Sequence, residues 1–92
     1  MDVLTDEQVA ERLAGLPGWT QDRNNIVHVQ TLADFKASLL YVGAVAYLAE
    51  AANHHPDITI EWNKVTLTLS THSAGGLTTN DFALAEQINQ LG

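Results

Sequence analysis

Residues 64–72, KVTLTLSTH, carry the cleanest alternation in the chain. Val65, Leu67 and Leu69 fall on one side, and Thr66, Thr68, Ser70 and His72 on the other. A period of two is the signature of a strand with one covered face. The preceding stretch DITIEW reads as its antiparallel neighbour, with Ile58, Ile60 and Trp62 on one face and a turn at Asn63-Lys64. Trp62 is therefore expected in the core. Upstream, WTQDRNNIVHVQT reads as two further strands joined at Asp22 to Asn25, where asparagines tolerate a tight turn. In the second of these, Val27 and Val29 share one face; Ile26, His28 and Gln30 share the other.

The remaining segments repeat near every third or fourth residue. LTDEQVAERLAGL predicts a first helix, with Thr5 as N-cap, Asp6 and Glu7 at the positive end of the dipole, and Val9, Leu13 and Leu16 inward. Thr31 and Asp34 are spaced as a capping box for a second helix running to about Asn53. Phe35, Leu39, Val42, Ala46 and Ala49 form one stripe on it, while Leu40, Tyr41, Val45 and Leu48 cover much of the rest. A helix apolar nearly all round must be covered on more than one side. The sheet can take one side, and a second subunit is expected on the other. LTTNDFALAEQINQLG predicts a last helix with Phe82, Ala85 and Ile88 on one stripe. The order α-β-β-α-β-β-α predicts an α+β fold over residues 1–92 as a single domain: a four-stranded antiparallel sheet with three helices on one face.

Charge narrows the partners. The formal net charge is −7, and Arg12, Arg23, Lys36 and Lys64 are the only Lys and Arg residues. Four scattered cations cannot track a phosphate backbone, and an acidic chain is repelled by anionic bilayers, so neither nucleic acid nor membrane is expected as a partner. The longest apolar run, Ala37 to Ala49, falls short of the ~20 residues that span a bilayer. With no cysteine, thiolate nucleophiles, thiolate metal sites and disulfides are excluded. The N-terminal residues lack a basic segment followed by an apolar run, which favours a cytoplasmic location.

Three of the four histidines are expected to converge. Pro56 disfavours helical geometry at His55, so the long helix ends at or before His54. Glu50 lies four residues before His54, on the same helical face if the last turn is intact, where its carboxylate would orient that imidazole. Pairing across the Asn63-Lys64 turn returns His72 toward residues 54–57. Each histidine alone reads most simply as a surface polar residue; convergence beside a carboxylate points to acid/base chemistry. Glu50, His54 and His72 could also supply three metal ligands, but no HExxH spacing is present and adjacent histidines rarely point at one ion. Ser70, Thr71 and Ser73 lie near His72, yet no Gly-x-Ser-x-Gly elbow accompanies them. Asp81 fits two roles equally: capping-box partner of Thr78, or site residue.

Glu50, the run His54-His55-Pro56, an aromatic at Trp62, His72 closing KVTLTLSTH, and Asp81 together resemble the pterin-4a-carbinolamine dehydratase family in order and spacing. NHHPDITIEWNKVTLTLSTHSAGGLT is the specific part, and the element order extends the likeness over nearly the whole chain. The resemblance implies dehydration of a 4a-hydroxytetrahydropterin to the quinonoid dihydropterin, in tetrahydropterin recycling. It implies no metal, cofactor or covalent intermediate. It assigns proton transfer to His54 and His72 and substrate placement to His55, with support from Glu50 and Asp81. Asp57, Trp62, Ser70 and Thr71 complete the implied substrate contacts. Members of the family are tetrameric through a helix bundle, so a homo-oligomer, dimer or tetramer, is implied here. Similar folds also serve as dimerisation cofactors or assembly chaperones, which makes a protein-binding module the alternative.

Overall fold

The computed structural model describes residues 2–92. In it α1 (Asp6–Ala14) leads through a short loop to β1 (Trp19–Asp22) and β2 (Asn25–Thr31). The long α2 (Phe35–Ala52) follows, then β3 (Asp57–Glu61), β4 (Lys64–Leu69), a 3₁₀ turn at His72–Ala74 and α3 (Thr79–Asn89). The four strands form one antiparallel sheet in the order β1-β2-β4-β3. The three helices cover one face, as the element order predicts.

Register explains which residues are inside. Ile26 pairs with Leu69, His28 with Leu67 and Gln30 with Val65, so these side chains share the helix-covered face. Ile26, Val65, Leu67 and Leu69 are fully buried there against Val45 and Ala49 of α2 and Phe82, Leu84, Ala85 and Ile88 of α3. Val27 and Val29 therefore lie on the open face, and the polar His28 and Gln30 lie inside. His28 is accommodated by stacking on Trp19, with ring centroids 5.2 Å apart, while its two ring nitrogens meet the Gly18 carbonyl and the Gln30 side chain. Trp19 Nε1 donates to Asn89 at 2.8 Å, which ties the end of α3 to β1.

Thr5 caps α1 with a full capping box to Gln8. For α2 the cap is Asp34 itself, whose carboxylate accepts from the Ala37 amide; Thr31 closes β2 and takes no part. The buried stripe of α2 is also rotated from the expected one. Ser38, Val45 and Ala49 are buried, while Phe35 and Leu39 are about half exposed. A helix apolar on every side gives its sequence no means of marking which stripe meets the sheet. By length and composition α2 is apolar enough to cross a bilayer, with a mean hydropathy of 1.2 over 18 residues; its inner stripe is here part of the core.

Trp62 is not in the core. It occupies the β3–β4 turn with φ at 51°, and 62% of its surface is exposed. The strand alternation stops at Glu61, which pairs with Lys64, so the turn falls on Trp62-Asn63, one residue earlier than expected. What the fold uses at Trp62 is its carbonyl, 2.7 Å from the buried Ser38 hydroxyl.

Candidate active site

The site begins with the way α2 ends. Asn53 adopts the left-handed conformation (φ 49°, ψ 44°), its amide donates to the Glu50 carbonyl, and the His54 amide donates to the Ala49 carbonyl at 3.0 Å. This double bond pattern is a Schellman closure, for which asparagine is the common non-glycine residue. It breaks the helical phase before His54. The four-residue spacing of Glu50 and His54 therefore places no contact between them. Glu50 Oε2 instead meets His55 Nε2 at 2.5 Å, which corrects the expected pairing. Both side chains of this pair are exposed, at 77% and 56%.

His54 turns inward. Its Nε2 lies 2.5 Å from Asp81 Oδ1, and its side chain is 13% exposed while Asp81 is fully buried. The other carboxylate oxygen accepts from the Thr71 hydroxyl at 2.8 Å and the Thr78 amide at 2.9 Å. Thr71 has one hydroxyl proton, so its 2.8 Å contact with the Thr78 hydroxyl is one it accepts. Burying a carboxylate is costly unless its oxygens are satisfied, and here both are. Asp81 thus closes the α3 capping box with Thr78 through Oδ2 and meets His54 through Oδ1.

This contact settles a tautomer. Facing a carboxylate oxygen, Nε2 of His54 carries a proton, so Nδ1 is the nitrogen left for a ligand. Nδ1 has no hydrogen-bond partner among the described residues.

His72 lies three residues beyond the end of β4, at the start of the 3₁₀ turn rather than in the strand. It is exposed, and its backbone follows directly on Thr71, so the Thr71–Asp81–His54 network brings its chain segment beside His54. With Ser70 it lines a depression of about 370 Å³ whose other walls are Arg23, Asn24, Asn25 and Gly75. Ser70 donates to the Asn24 carbonyl at 2.7 Å and joins the β1–β2 turn to this wall. Those three turn residues were not anticipated from sequence. The signal was the β2–β4 pairing, which sets Ile26 against Leu69 and hence Asn25 beside Ser70, but strand order is not written in either strand's own pattern. A larger depression of about 460 Å³ lies around Gln8, Arg12 and Glu86 and contains none of these groups. The smaller one holds His72 and Ser70, and neither depression is lined by His54, His55 or Asp81.

Asp57 opens β3 opposite Thr68, with an exposed side chain. Trp62 sits at the other end of the same hairpin, four residues of strand away, and is not brought to the histidines. Among the described residues no group of three or more His, Cys, Asp or Glu side chains is placed to hold one ion. His54 and His55 are each turned to a separate carboxylate.

The model of the family described as "Pterin 4 alpha carbinolamine dehydratase" matches residues 2–91. A relative from Roseiflexus castenholzii, named as a candidate pterin-4-alpha-carbinolamine dehydratase, is 53% identical over 97% of this chain and 96% of its own length. One from Chloroflexus aurantiacus, named likewise, is 50% identical over 99% and 98%. Among solved structures, a transcriptional coactivator/pterin dehydratase from Brucella melitensis superposes with a TM-score of 0.93 at 30% identity, over 98% of both chains. A pterin dehydratase-like protein identified as a RuBisCO assembly factor of the alpha-carboxysome has a TM-score of 0.67 at 21% identity, over 80% of this chain and 88% of its own, and shares the fold.

Proposed function

The chain belongs to the pterin 4 alpha carbinolamine dehydratase family, and from that premise we propose that it dehydrates a 4a-hydroxytetrahydropterin to the quinonoid dihydropterin. In this reaction the C4a–O bond breaks, a C4a=N5 double bond forms, and the N5 proton and the hydroxyl leave as water. One group must protonate the departing hydroxyl and another must accept the N5 proton, so protons balance and no electron acceptor is needed. Imidazole serves either role near neutral pH. In this reading His54 and His72 share the two roles, His55 places the substrate, and Glu50 and Asp81 position His55 and His54. Ser70, Thr71 and Asp57 border the same region.

The observation that carries the reading is the His54–Asp81 contact. A fully buried carboxylate that spends one oxygen on the end of a helix and the other on a mostly covered imidazole leaves a single nitrogen, Nδ1, for proton exchange. A histidine kept only for surface polarity needs no such arrangement.

The test is direct. Purified protein is added to carbinolamine generated in situ by an aromatic amino-acid hydroxylase, and formation of the quinonoid product is followed by absorbance. Acceleration over the spontaneous reaction supports the proposal; a rate equal to the protein-free control overturns it.

A second reading has its own observation. The outer side of α2 exposes Leu40 at 69% and Tyr47 at 76%, and exposed apolar patches mark association surfaces. We read it as the face through which copies of the chain assemble into a dimer or tetramer. Were the assay negative, the same face would suit a protein-binding module. A cytoplasmic role in tetrahydropterin recycling completes the proposal.

A further inference from the structure

The β1–β2 turn sets an arginine where the backbone favours glycine. Asp22 pairs with Asn25, so the turn has two central residues, Arg23 and Asn24, and Arg23 takes a φ of 57°. A positive φ at the first turn position suits glycine, and a long side chain there carries strain. Three non-glycine residues have a positive φ among the described residues, and the other two serve the fold. Asn53 closes α2, and Trp62 presents its carbonyl to Ser38. The Arg23 guanidinium makes no ion pair or hydrogen bond with any described residue. Arg23 thus breaks a local rule, and the fold takes nothing from its side chain in return.

The turn is nonetheless held firmly. Three successive carbonyls each accept a side-chain hydrogen bond: Asp22 from Asn25 Nδ2 at 3.2 Å, Arg23 from Gln21 Nε2 at 3.0 Å, and Asn24 from the Ser70 hydroxyl at 2.7 Å. Strained backbone persists where its surroundings over-determine it, and such positions cluster at functional sites. This turn walls the depression of about 370 Å³ that holds His72. No carboxylate lines that depression, in a chain of net charge −7. With the turn carbonyls and the Ser70 proton already engaged, the donors left for a ligand are the guanidinium, asparagine amide N–H groups and an imidazole N–H. A guanidinium fork matches two oxygens of a carboxylate or phosphate. The overall charge of the chain repels anions at long range, so this lining acts at contact.

We propose that this depression binds an anionic group, a carboxylate or phosphate, and that Arg23 thereby selects pterins carrying such a group on the C6 side chain. The anion site stands on the turn and its lining alone. Its use in choosing substrate rests on the dehydratase reading, which sets a reacting pterin at His72, the residue shared with the depression. Arg23 is then a specificity residue: it meets the substituent and takes no part in proton transfer. A free inorganic anion is the other source of the same chemistry.

Two titrations and a melt test this. Inorganic phosphate, added at constant ionic strength, should shift the Arg23 Nε and His72 ring signals in NMR, and the His72 shift should be lost in Arg23→Gly. Two stable oxidised pterins, pterin-6-carboxylate and 6-hydroxymethylpterin, are then compared by fluorescence titration. The carboxylate should bind about five- to ten-fold more tightly. That ratio should fall to about one in Arg23→Gly and to an intermediate value in Arg23→Lys, which keeps the charge without the fork. Arg23→Gly also relieves the positive φ, so it should melt at or above the wild-type temperature while losing the preference. A His72 shift that survives in Arg23→Gly overturns the anion site, and a melt well below wild type makes Arg23 a residue of the fold and overturns it too. Equal affinity for the two pterins overturns the selection of substrate and leaves the dehydratase reading standing. Phosphate shifts that depend on Arg23, in a protein that accelerates no pterin dehydration, support the anion site with a free anion as its occupant and remove the dehydratase reading.

Discussion

Replacing Asp81 by Asn separates what this residue does for the fold from what it does for chemistry. The amide is nearly the same size, but it has one acceptor where the carboxylate has two. The Thr71 hydroxyl and the Thr78 amide both donate to Oδ2. The asparagine oxygen must face them, because the alternative strands two buried donors. Its NH₂ group then faces His54 Nε2. Two donors cannot share a hydrogen bond, so His54 must move its proton to Nδ1 and accept at Nε2. The stability cost is that of converting charge-assisted bonds to neutral ones, about 1–2 kcal/mol. For a domain of this size that lowers Tm by about 5–15 °C. The catalytic cost is larger, because the nitrogen that faced the ligand now carries the wrong proton: kcat should fall about 10²–10⁴-fold. Thr71→Val is the counterpart. It removes one bond to Asp81 and strands the Thr78 hydroxyl, for about 1–3 kcal/mol; it leaves the His54 contact and tautomer intact while loosening the segment that carries His72, so kcat should fall by clearly less than in Asp81→Asn. The assay pairs thermal melts with single-turnover dehydration, and ¹⁵N shifts of the His54 ring report the tautomer. If Asp81→Asn loses stability but keeps both kcat and the original tautomer, Asp81 is a helix cap and nothing more.

Three further outcomes follow from the same geometry. His54→Ala and His72→Ala should each lower kcat by about 10²–10⁴-fold, while His55→Ala should act mainly on KM; wild-type kcat in His54→Ala would sink the acid/base assignment. Leu40→Asp should dissociate the proposed assembly and leave the protomer folded, because Leu40 is 69% exposed, whereas Val45→Asp buries an unpaired charge at a fully covered position and should unfold it; light scattering and circular dichroism distinguish the two. Tyr41→Phe should raise stability by about 1 kcal/mol, since the Tyr41 hydroxyl is buried without a partner. Burial also pushes the Tyr41 phenol above its usual value of 10.0. The unfolded chain therefore loses this proton first, and stability falls as pH rises above 10.0 toward the folded value. Denaturant titrations between neutral and alkaline pH should show that decline reduced in the phenylalanine variant.

Local patterns in the sequence report what local physics dictates. The alternation of Val65, Leu67 and Leu69 survives because β4 lies in the middle of the sheet, where a slip of one residue would expose all three. The caps at Thr5 and Thr78 are legible because a capping box closes within four residues. Trp62 is misread for a reason of the same kind. Alternation predicts a face only while the strand lasts, and nothing in DITIEW marks Glu61 as its end. The buried stripe of α2 is not legible, because both its inner and outer sides are apolar and only the packed sheet distinguishes them. The link between the segments that carry His54 and His72 is legible in outline, from topology. Their partners are not: the Glu50–His54 spacing presumes a helix that Asn53 has already ended, and the residue that does hold His54 lies 27 positions further along the chain.

The two roles of Asp81 are therefore not competitors. A carboxylate at the third position of a helix, bound to the cap amide through one oxygen, is held by backbone geometry. Its second oxygen then points in a fixed direction at no further entropic cost, because the torsions that aim it were frozen when the helix formed. His54 needs such a fixed acceptor, since the Schellman turn before it sets its backbone but leaves its ring free to rotate. The Thr71 hydroxyl, 2.8 Å from the same carboxylate, extends the constraint to the segment carrying His72. Helix start, helix end and strand exit meet at a single buried group, so the relative placement of His54 and the His72 segment is set by structure the fold requires in any case. A variant that stabilised α3 by any route other than this carboxylate would keep the helix and lose the registry between those two segments.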